Sequence, residues 1–409
     1  MLGGLLILFL TGAIAFFIID GLKKRYPFID AGFLKKLFFY HTALAFVYYL
    51  YATFNPSDSN FYYEKVVTNF RGDSWFSFYG TSTTFIEFIG YPFVKFLGFS
   101  YEASMALFAF FGFVGYIYFY VFFRENVKFQ HKFLGYDLVT LVFYLPNMHF
   151  WSSSFGKGAV IFMGISLFFY GITSIRTRWV SIAIAGFIIY HVRPHIMLVM
   201  LISSAIGFVF TTKGISIPLR LAFLFCVGIA FFFIYRDVFA LVGIDEQEFV
   251  TQGLDLTHRA TELSKATSGV DITSYSLPMQ LFTFLYRPLF IDAPGALGLI
   301  VSFENVFYVI ITFKLLNLQG IQFLIRGNFL VKTAFFSFLT VSIALAQVSG
   351  NLGLAIRQKS QVMMLFLFVI VAFLDDKKIK TYRRTQQQRL RQKRDAVPVD
   401  GLANPAAQA

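Results

Sequence analysis

The sequence has few residues of several types, and each shortage excludes a class of protein. Charged residues make up 14% of the 409, against about 25% in soluble domains, and 57% are hydrophobic. An ordinary water-soluble enzyme is therefore excluded. Cys226 is the single cysteine, so an intrachain disulfide framework is excluded as well. The chain has no Gly-x-Ser-x-Gly, Cys-x-x-Cys or His-Glu-x-x-His motif, so these hydrolase, redox and zinc-protease signatures are missing.

The sequence is instead rich in apolar runs that are long enough to cross a bilayer. A spanning helix needs about 20 residues for roughly 30 Å of hydrocarbon. About eleven such helices would use about 220 residues, close to the hydrophobic share of the chain. We therefore predict an all-α polytopic membrane protein. The predicted spans are 2–19, 38–54, 101–123, 133–150, 158–174, 179–192, 196–212, 217–235, 295–316, 329–347 and 360–374.

The distribution of Lys and Arg predicts the orientation of these spans. With the N-terminus outside, the short basic loops all fall on the cytoplasmic side, as the positive-inside rule requires. Basic residues follow the first apolar run and none precedes it, which favours a retained helix over a signal peptide. Residues 1–376 would form the transmembrane domain. Residues 377–409 are basic and polar and predict a disordered cytoplasmic tail that contacts anionic membrane lipids; RNA binding is the weaker alternative.

Three exterior segments remain once the predicted spans are removed, at about 55–100, 237–294 and 348–359. Within the first, the stretch 81–97 contains Gly90 and Pro92, which favour a re-entrant or interfacial helix over a span. These polar segments are longer than the loops on the opposite side. We therefore expect the chemistry of this protein at the outer face of the membrane.

Cationic side chains lie at the exterior ends of several predicted spans. An ionised side chain at membrane depth is costly unless it faces a polar cavity or a counter-ion. Because Arg offers paired N–H donors that match phosphate oxygens, a group of them predicts an anion pocket. The alternative is that each side chain separately reaches lipid headgroups. The candidates are Lys157, Arg193, His195, Arg287, Arg357 and Lys359.

Two carboxylates are candidates for proton transfer. Asp58 closely follows the second span, and Glu304 lies within the ninth span, roughly 10 Å deep at 1.5 Å per residue. Glu304 would be paired with an arginine or protonated. His191 and His195 have the spacing of a metal pair, but Pro194 interrupts the helix and no third ligand is adjacent, so no metal is predicted. The cations would stabilise a departing diphosphate, and a carboxylate would accept a hydroxyl proton, which suits glycosyl transfer from a lipid-linked sugar.

Five sequence segments extend this interpretation. They are DSNFYY, LPNMHFWSSSFGKGAVIFMGISLFFYGI, IYHVRPHI, FLYRPLFIDAPG with the following FEN, and GNLGLAIRQKSQ. Together they resemble the EpsG-like and Wzy-type O-antigen polymerases of bacteria. The resemblance implies an inner-membrane enzyme that joins repeat units carried on undecaprenyl diphosphate, without metal or other cofactor. It also implies contact with other polysaccharide-assembly proteins, and functional roles for Arg193, Arg287 and Arg357.

The sequence thus favours a polysaccharide polymerase that does not bind nucleic acid. Its predicted catalytic residues are Arg193, Arg287, Asp58 and Glu304, and its predicted substrate-binding residues are His195, Arg357, Lys359 and Lys157. A GT-C-type transferase that uses polyprenyl-phosphate sugars, with Asp58 as its base, is one alternative. A flippase is another, although such transporters usually show internal repeats and midplane charges. A structural membrane subunit is the third.

Overall fold

The computed structural model is almost entirely helical, which confirms the all-α class. Its described residues contain one two-stranded antiparallel hairpin, in which Lys132 lies opposite Asp137. The structure describes residues 2–211, 216–242, 261, 264–265, 269–293 and 295–395. Most of the polar part of the second predicted exterior segment, at 243–260, lies outside the described residues.

The helices are numbered here in chain order, with the short hairpin strands lying before α6. They are α1 Leu2–Arg25, α2 Ala31–Phe54, α3 Asp58–Val67, α4 Thr83–Tyr91, α5 Tyr101–Asn126, α6 Leu138–Phe143, α7 Pro146–Trp151, α8 Lys157–Ile172, α9 Ile175–Val192, α10 Pro194–Val209, α11 Ile217–Val242, α12 Leu277–Tyr286, α13 Gly295–Leu315, α14 Leu318–Arg326, α15 Phe329–Val348, α16 Leu352–Lys359 and α17 Met363–Asp395.

Five helices of the described chain, α1, α2, α5, α13 and α15, are long and apolar enough to cross a membrane. Shorter apolar helices cover Lys157–Ile172, Pro194–Val209 and Arg220–Ile234. Large apolar side chains such as Phe9 and Phe313 are exposed on the long helices, at 74% and 68%. Since such surfaces suit hydrocarbon better than water, these helices indicate a membrane protein.

The predicted span at 133–150 is wrong as a single helix. The hairpin turns at Gly135, whose φ is +86°, and the chain then forms α6 and α7, each six residues long. A six-residue helix rises about 9 Å, far short of the roughly 30 Å of hydrocarbon. The stretch 81–97 likewise divides into α4 and the π-helical turn Pro92–Phe96, so it is also too short to span. The prediction of eleven spans is therefore not confirmed.

The predicted disorder after residue 376 also differs from the structure. Helix α17 continues without a break to Asp395, and residues 396–409 lie outside the described residues. Lys, Arg and Gln have high helix propensity, and the buried first half of α17 supplies the nucleated turns from which the helix extends. The basic tail therefore begins as a helix.

The core positions the connection between α7 and α8. Helix α5 packs between α1 and α8, and α8 pairs with α9. A Cβ atom on Gly112 of α5 would lie 1.8 Å from the carbonyl oxygen of Ser152, and one on Gly158 would lie 2.2 Å from that of Trp151. Glycine at both positions therefore allows the loop at 152–156 to pack directly against neighbouring backbone, beside the start of α8.

Candidate anion-binding cavity

One cavity brings together four of the residues singled out from the sequence: Asp58, Lys157, Arg193 and Arg357. Its volume is about 50 Å³. Three cations and one carboxylate give its wall a formal charge of +2 when Lys157 is protonated. The other lining residues are Tyr48, Ser59, Tyr62, Trp151, Ser154, Phe155, Gly156, Gly158 and Gln361. The cavity is thus polar, cationic and edged by aromatic rings.

Three helices begin at this cavity, namely α3 at Asp58, α8 at Lys157 and α10 just after Arg193. The first N–H groups of a helix have no intrahelical partner and carry partial positive charge, which makes a helix N-terminus favourable for anions. Gly156, at the N-cap of α8, has no side chain that could bind those N–H groups. The start of α8 therefore presents backbone N–H donors beside the cationic side chains.

Asp58 is held at the cavity wall by the turn between α2 and α3. Ser59 Oγ lies 2.7 Å from the Tyr101 hydroxyl, and the Asn60 side-chain amide donates to the carbonyl oxygen of Ala52 at 2.8 Å. The guanidinium of Arg357 donates to the Asp58 carboxylate. Both side chains are partly exposed, at 48% for Asp58 and 34% for Arg357, so this pair contributes only about 0–1 kcal/mol to stability. A bound anion can therefore compete with Asp58 for the guanidinium.

Lys157 is the cation of the cavity whose charge is most sensitive to its surroundings. Its Nζ donates to Ser82 Oγ at 3.0 Å. Burial, reinforced by the positive charge of Arg193, lowers the pKa of Lys157 to about 8 although Asp58 opposes the shift. Burial and the negative charge of Asp58 raise the pKa of Tyr62 to about 12, so its hydroxyl remains a donor at neutral pH. Lys157 is therefore the group that titrates closest to neutrality at this wall.

We expect anion binding to weaken as the pH rises through about 8, because Lys157 then loses its proton and the wall loses one charge. The Lys157→Arg variant keeps its charge throughout this range. Pyrophosphate affinity is measured for both proteins between pH 7 and 9.5. The ratio of the two affinities at each pH is compared, because the ionisation of pyrophosphate affects both proteins equally and drops out of this ratio. The wild-type protein should lose about tenfold relative to the variant. A pH-independent ratio would contradict this assignment.

Arg287, His195 and Lys359 do not line the cavity. Arg287 ends α12 and forms an ion pair with Asp292, five residues further on. His195 lies on α10, two residues beyond Arg193, and is half-buried. Lys359 is fully buried at the end of α16. The structure therefore separates these three from the group of four, and their predicted roles remain untested.

Glu304 also lies outside the cavity, inside the α13 helix. Its carboxylate accepts a hydrogen bond from the backbone N–H of Asn147 at 2.9 Å and another from the Tyr308 hydroxyl. It thus binds the start of α7, where Pro146 precedes Asn147. Of the two predicted alternatives, an arginine partner or a protonated carboxyl, the first is not what these hydrogen bonds show: the partners are a helix N-terminus and a tyrosine hydroxyl. These contacts indicate a structural position for Glu304.

His191, one of the two histidines considered for a metal, is hydrogen-bonded to protein groups through both ring nitrogens. His191 Nδ1 lies 2.8 Å from the carbonyl oxygen of Phe187, and its Nε2 lies 2.8 Å from the Tyr79 hydroxyl. Among the described residues no group of three His, Cys, Asp or Glu side chains could hold a metal ion.

Sequence reasoning missed the aromatic and polar wall of the cavity, in particular Trp151, Tyr62 and Ser154. The pattern Ser-Ser-Ser-Phe-Gly-Lys-Gly was a usable signal, because it places a lysine at the first turn of an apolar helix directly after a polar loop. It fails as a nucleotide-binding P-loop, yet it retains the helix N-terminus that anions favour.

Comparisons with protein-family models, with curated proteins and with solved structures give no match for this chain. The function is therefore argued from the chemistry of the cavity.

Proposed function

We propose that this chain is a membrane polysaccharide polymerase. It would join undecaprenyl-diphosphate-linked oligosaccharide repeat units at the outer face of a bacterial inner membrane, without a metal. About eleven spans, an exterior N-terminus and a cytoplasmic C-terminus belong to the same proposal. The observation that supports it most is the convergence of Lys157, Arg193 and Arg357 with Asp58 in one cavity.

The charges of this cavity suit the transfer step. The diphosphate of the donor lipid binds the cations and displaces Asp58 from Arg357. A hydroxyl oxygen of the acceptor sugar then forms a bond with the anomeric carbon of the donor while the bond from that carbon to the diphosphate oxygen breaks. The electron pair goes to the diphosphate, where the cations and helix N-termini stabilise it. The hydroxyl proton goes to the Asp58 carboxylate, which acts as the general base.

Purified protein in proteoliposomes, supplied with a lipid-linked repeat unit, tests this proposal. We expect the glycan to lengthen, and chelators of divalent cations to have no effect. The Asp58→Asn variant should reduce the rate about 100-fold or more, within the range for removal of a general base. Asp292→Asn is the matched control because it removes an exterior carboxylate whose arginine partner does not line the cavity.

The rival functions give different results in the same vesicles. Movement of the lipid-linked sugar across the bilayer without lengthening would identify a transporter instead. A requirement for a divalent cation would favour the GT-C-type transferase.

A further inference from the structure

A second, larger groove adjoins the cavity and has a different character. Its volume is about 520 Å³, within the range of about 300–1,000 Å³ for pockets that hold drug-sized ligands. Helices α2, α7, α13 and α16 form its walls. Its apolar lining includes Leu44, Val47, Leu297, Ile300, Val301 and Leu354. Trp151 and Arg357 line both spaces, so the groove and the cavity meet at these two side chains.

The two asparagines that line the groove are hydrogen-bonded to the protein itself. The amide of Asn147 donates to the carbonyl oxygen of Ile356 at 3.3 Å, and Asn351 Oδ1 accepts from the backbone N–H of Leu354 at 2.9 Å. A polar ligand placed here would lose its hydrogen bonds to water and gain few in return. An apolar chain has no such penalty. The groove therefore suits hydrocarbon.

The position of the groove gives it access from the bilayer. Its two long walls, α2 and α13, are both helices able to cross a membrane. Val47 on one wall and Ile300 on the other are exposed, at 42% and 53%. Apolar side chains exposed on spanning helices face hydrocarbon. A lipid can thus enter sideways with its tail while its head reaches Arg357.

Another apolar groove, away from the cavity, differs in the charge at its edge, and this difference favours the groove beside Arg357 as the site for an anionic lipid. This other groove has a volume of about 390 Å³, and is lined by Leu5, Leu8 and Phe46 among others. Its charged lining residue is Glu102, which repels an anionic head. The groove beside Arg357 instead opens onto a wall with a formal charge of +2. This charge complements a diphosphate, which carries two or more negative charges, better than it complements the head of a zwitterionic phospholipid.

We propose that the groove between α2 and α13 holds the polyprenyl chain of the lipid whose diphosphate binds the cavity. This rests on the proposed function and assigns the lipid a direction: the tail lies along α13, the diphosphate lies among Arg357, Arg193 and Lys157, and the sugar lies beyond it beside Asp58. The junction at Trp151 and Arg357 is therefore the boundary between the apolar and the charged parts of the substrate.

The test compares two tryptophan substitutions on α13. Leu297 and Leu299 are both 44% exposed, but Leu297 lines the groove and Leu299 does not. Each variant is placed in nanodiscs as the full chain, and undecaprenyl diphosphate is titrated to displace labelled inorganic pyrophosphate. Overpacking of the groove in Leu297→Trp should weaken the lipid about tenfold, whereas Leu299→Trp should match the wild type. Affinity for pyrophosphate alone should be unchanged in both, which also shows that both are folded.

The outcomes separate this inference from the proposed function. Equal lipid affinity in the two variants, with pyrophosphate still bound, overturns the groove assignment and leaves the anion cavity intact. Failure of pyrophosphate to bind the wild-type protein overturns the cavity itself, and a photo-crosslinker at position 297 then decides the groove separately. Crosslinks to undecaprenyl diphosphate support it, while crosslinks only to the phospholipids of the disc overturn it.

Discussion

Replacing Arg193 by alanine is expected to reduce polymer formation about 100-fold to 1,000-fold, the range found when one preorganised donor to a developing anion is removed. Arg193 is 9% exposed and lines the cavity. Because so little water reaches this position, water cannot supply the hydrogen bonds that the guanidinium would have donated. Its backbone continues to join α9 and α10, because the N–H of Arg193 donates to the carbonyl oxygen of Ile189 at 2.8 Å whatever the side chain. The variant should therefore fold and lose activity.

The control for this experiment is Arg287→Ala, which removes an arginine that is paired with Asp292 and does not line the cavity. The cavity assignment predicts a much smaller loss for this variant, whereas the family resemblance alone predicts losses of similar size. Arg193→Lys should fall between, since lysine keeps the charge without the paired donors. Full polymerisation by Arg193→Ala would remove the cavity from the mechanism. Pyrophosphate affinity, measured on the same preparations, shows whether the loss lies in binding or in the chemical step.

The sequence predicts the anion cavity in part because an ionised side chain at membrane depth is costly without a polar destination. Lys157, Arg193 and Arg357 come from three separate segments, and this cost grouped them with His195, Arg287 and Lys359, whereas Asp58 was singled out separately as a proton acceptor. This physical argument needs no knowledge of the fold. It indicates that charged side chains near the membrane must lie in polar surroundings, and the cavity provides such surroundings for those that line it.

Two of the candidates that do not line the cavity are sequence neighbours of residues that do, and local backbone geometry explains the difference. Arg357 and Lys359 are two residues apart on one helix, so their side chains point to different faces and cannot both enter one cavity. Arg193 is the N-cap residue of α10 and has a non-helical backbone, whereas His195 already lies in the helix, so these two neighbours do not share one helical face. Sequence proximity was treated as spatial proximity, and the helical period of 3.6 residues contradicts this.

The partner of Glu304 could not be found from hydropathy. An apolar window that covers 133–150 predicts a continuous span, and such a span offers no free N–H groups in its interior. The real chain breaks before Pro146, and the new helix start presents the N–H of Asn147 to the carboxylate. Because this helix break was not predicted, neither the short helices α6 and α7 nor the contact between Asn147 and Glu304 could be predicted.

Replacing Lys359 by methionine is expected to destabilise the protein by about 3–5 kcal/mol, because it leaves buried acceptors without a donor. Lys359 Nζ donates to the carbonyl oxygens of Leu285 and Arg287, at 3.0 Å and 3.2 Å, and to Asn305 Oδ1 at 2.6 Å. Asn305 in turn donates to the carbonyl oxygen of Pro288 at 2.7 Å. One buried amine thus fastens α16 to α13 and to the end of α12.

The matched control is Lys378→Met, whose Nζ donates to one carbonyl oxygen, that of Gln130, at an exposed position. Its loss should change stability by less than about 0.5 kcal/mol. Apparent unfolding temperatures of both variants in one detergent give the comparison. Because α16 also carries Arg357, Lys359→Met should weaken pyrophosphate binding even at temperatures where it remains folded, although position 359 does not line the cavity. Stability equal to that of the control would show that these three hydrogen bonds do not hold α16, and the position of Arg357 would then need another cause.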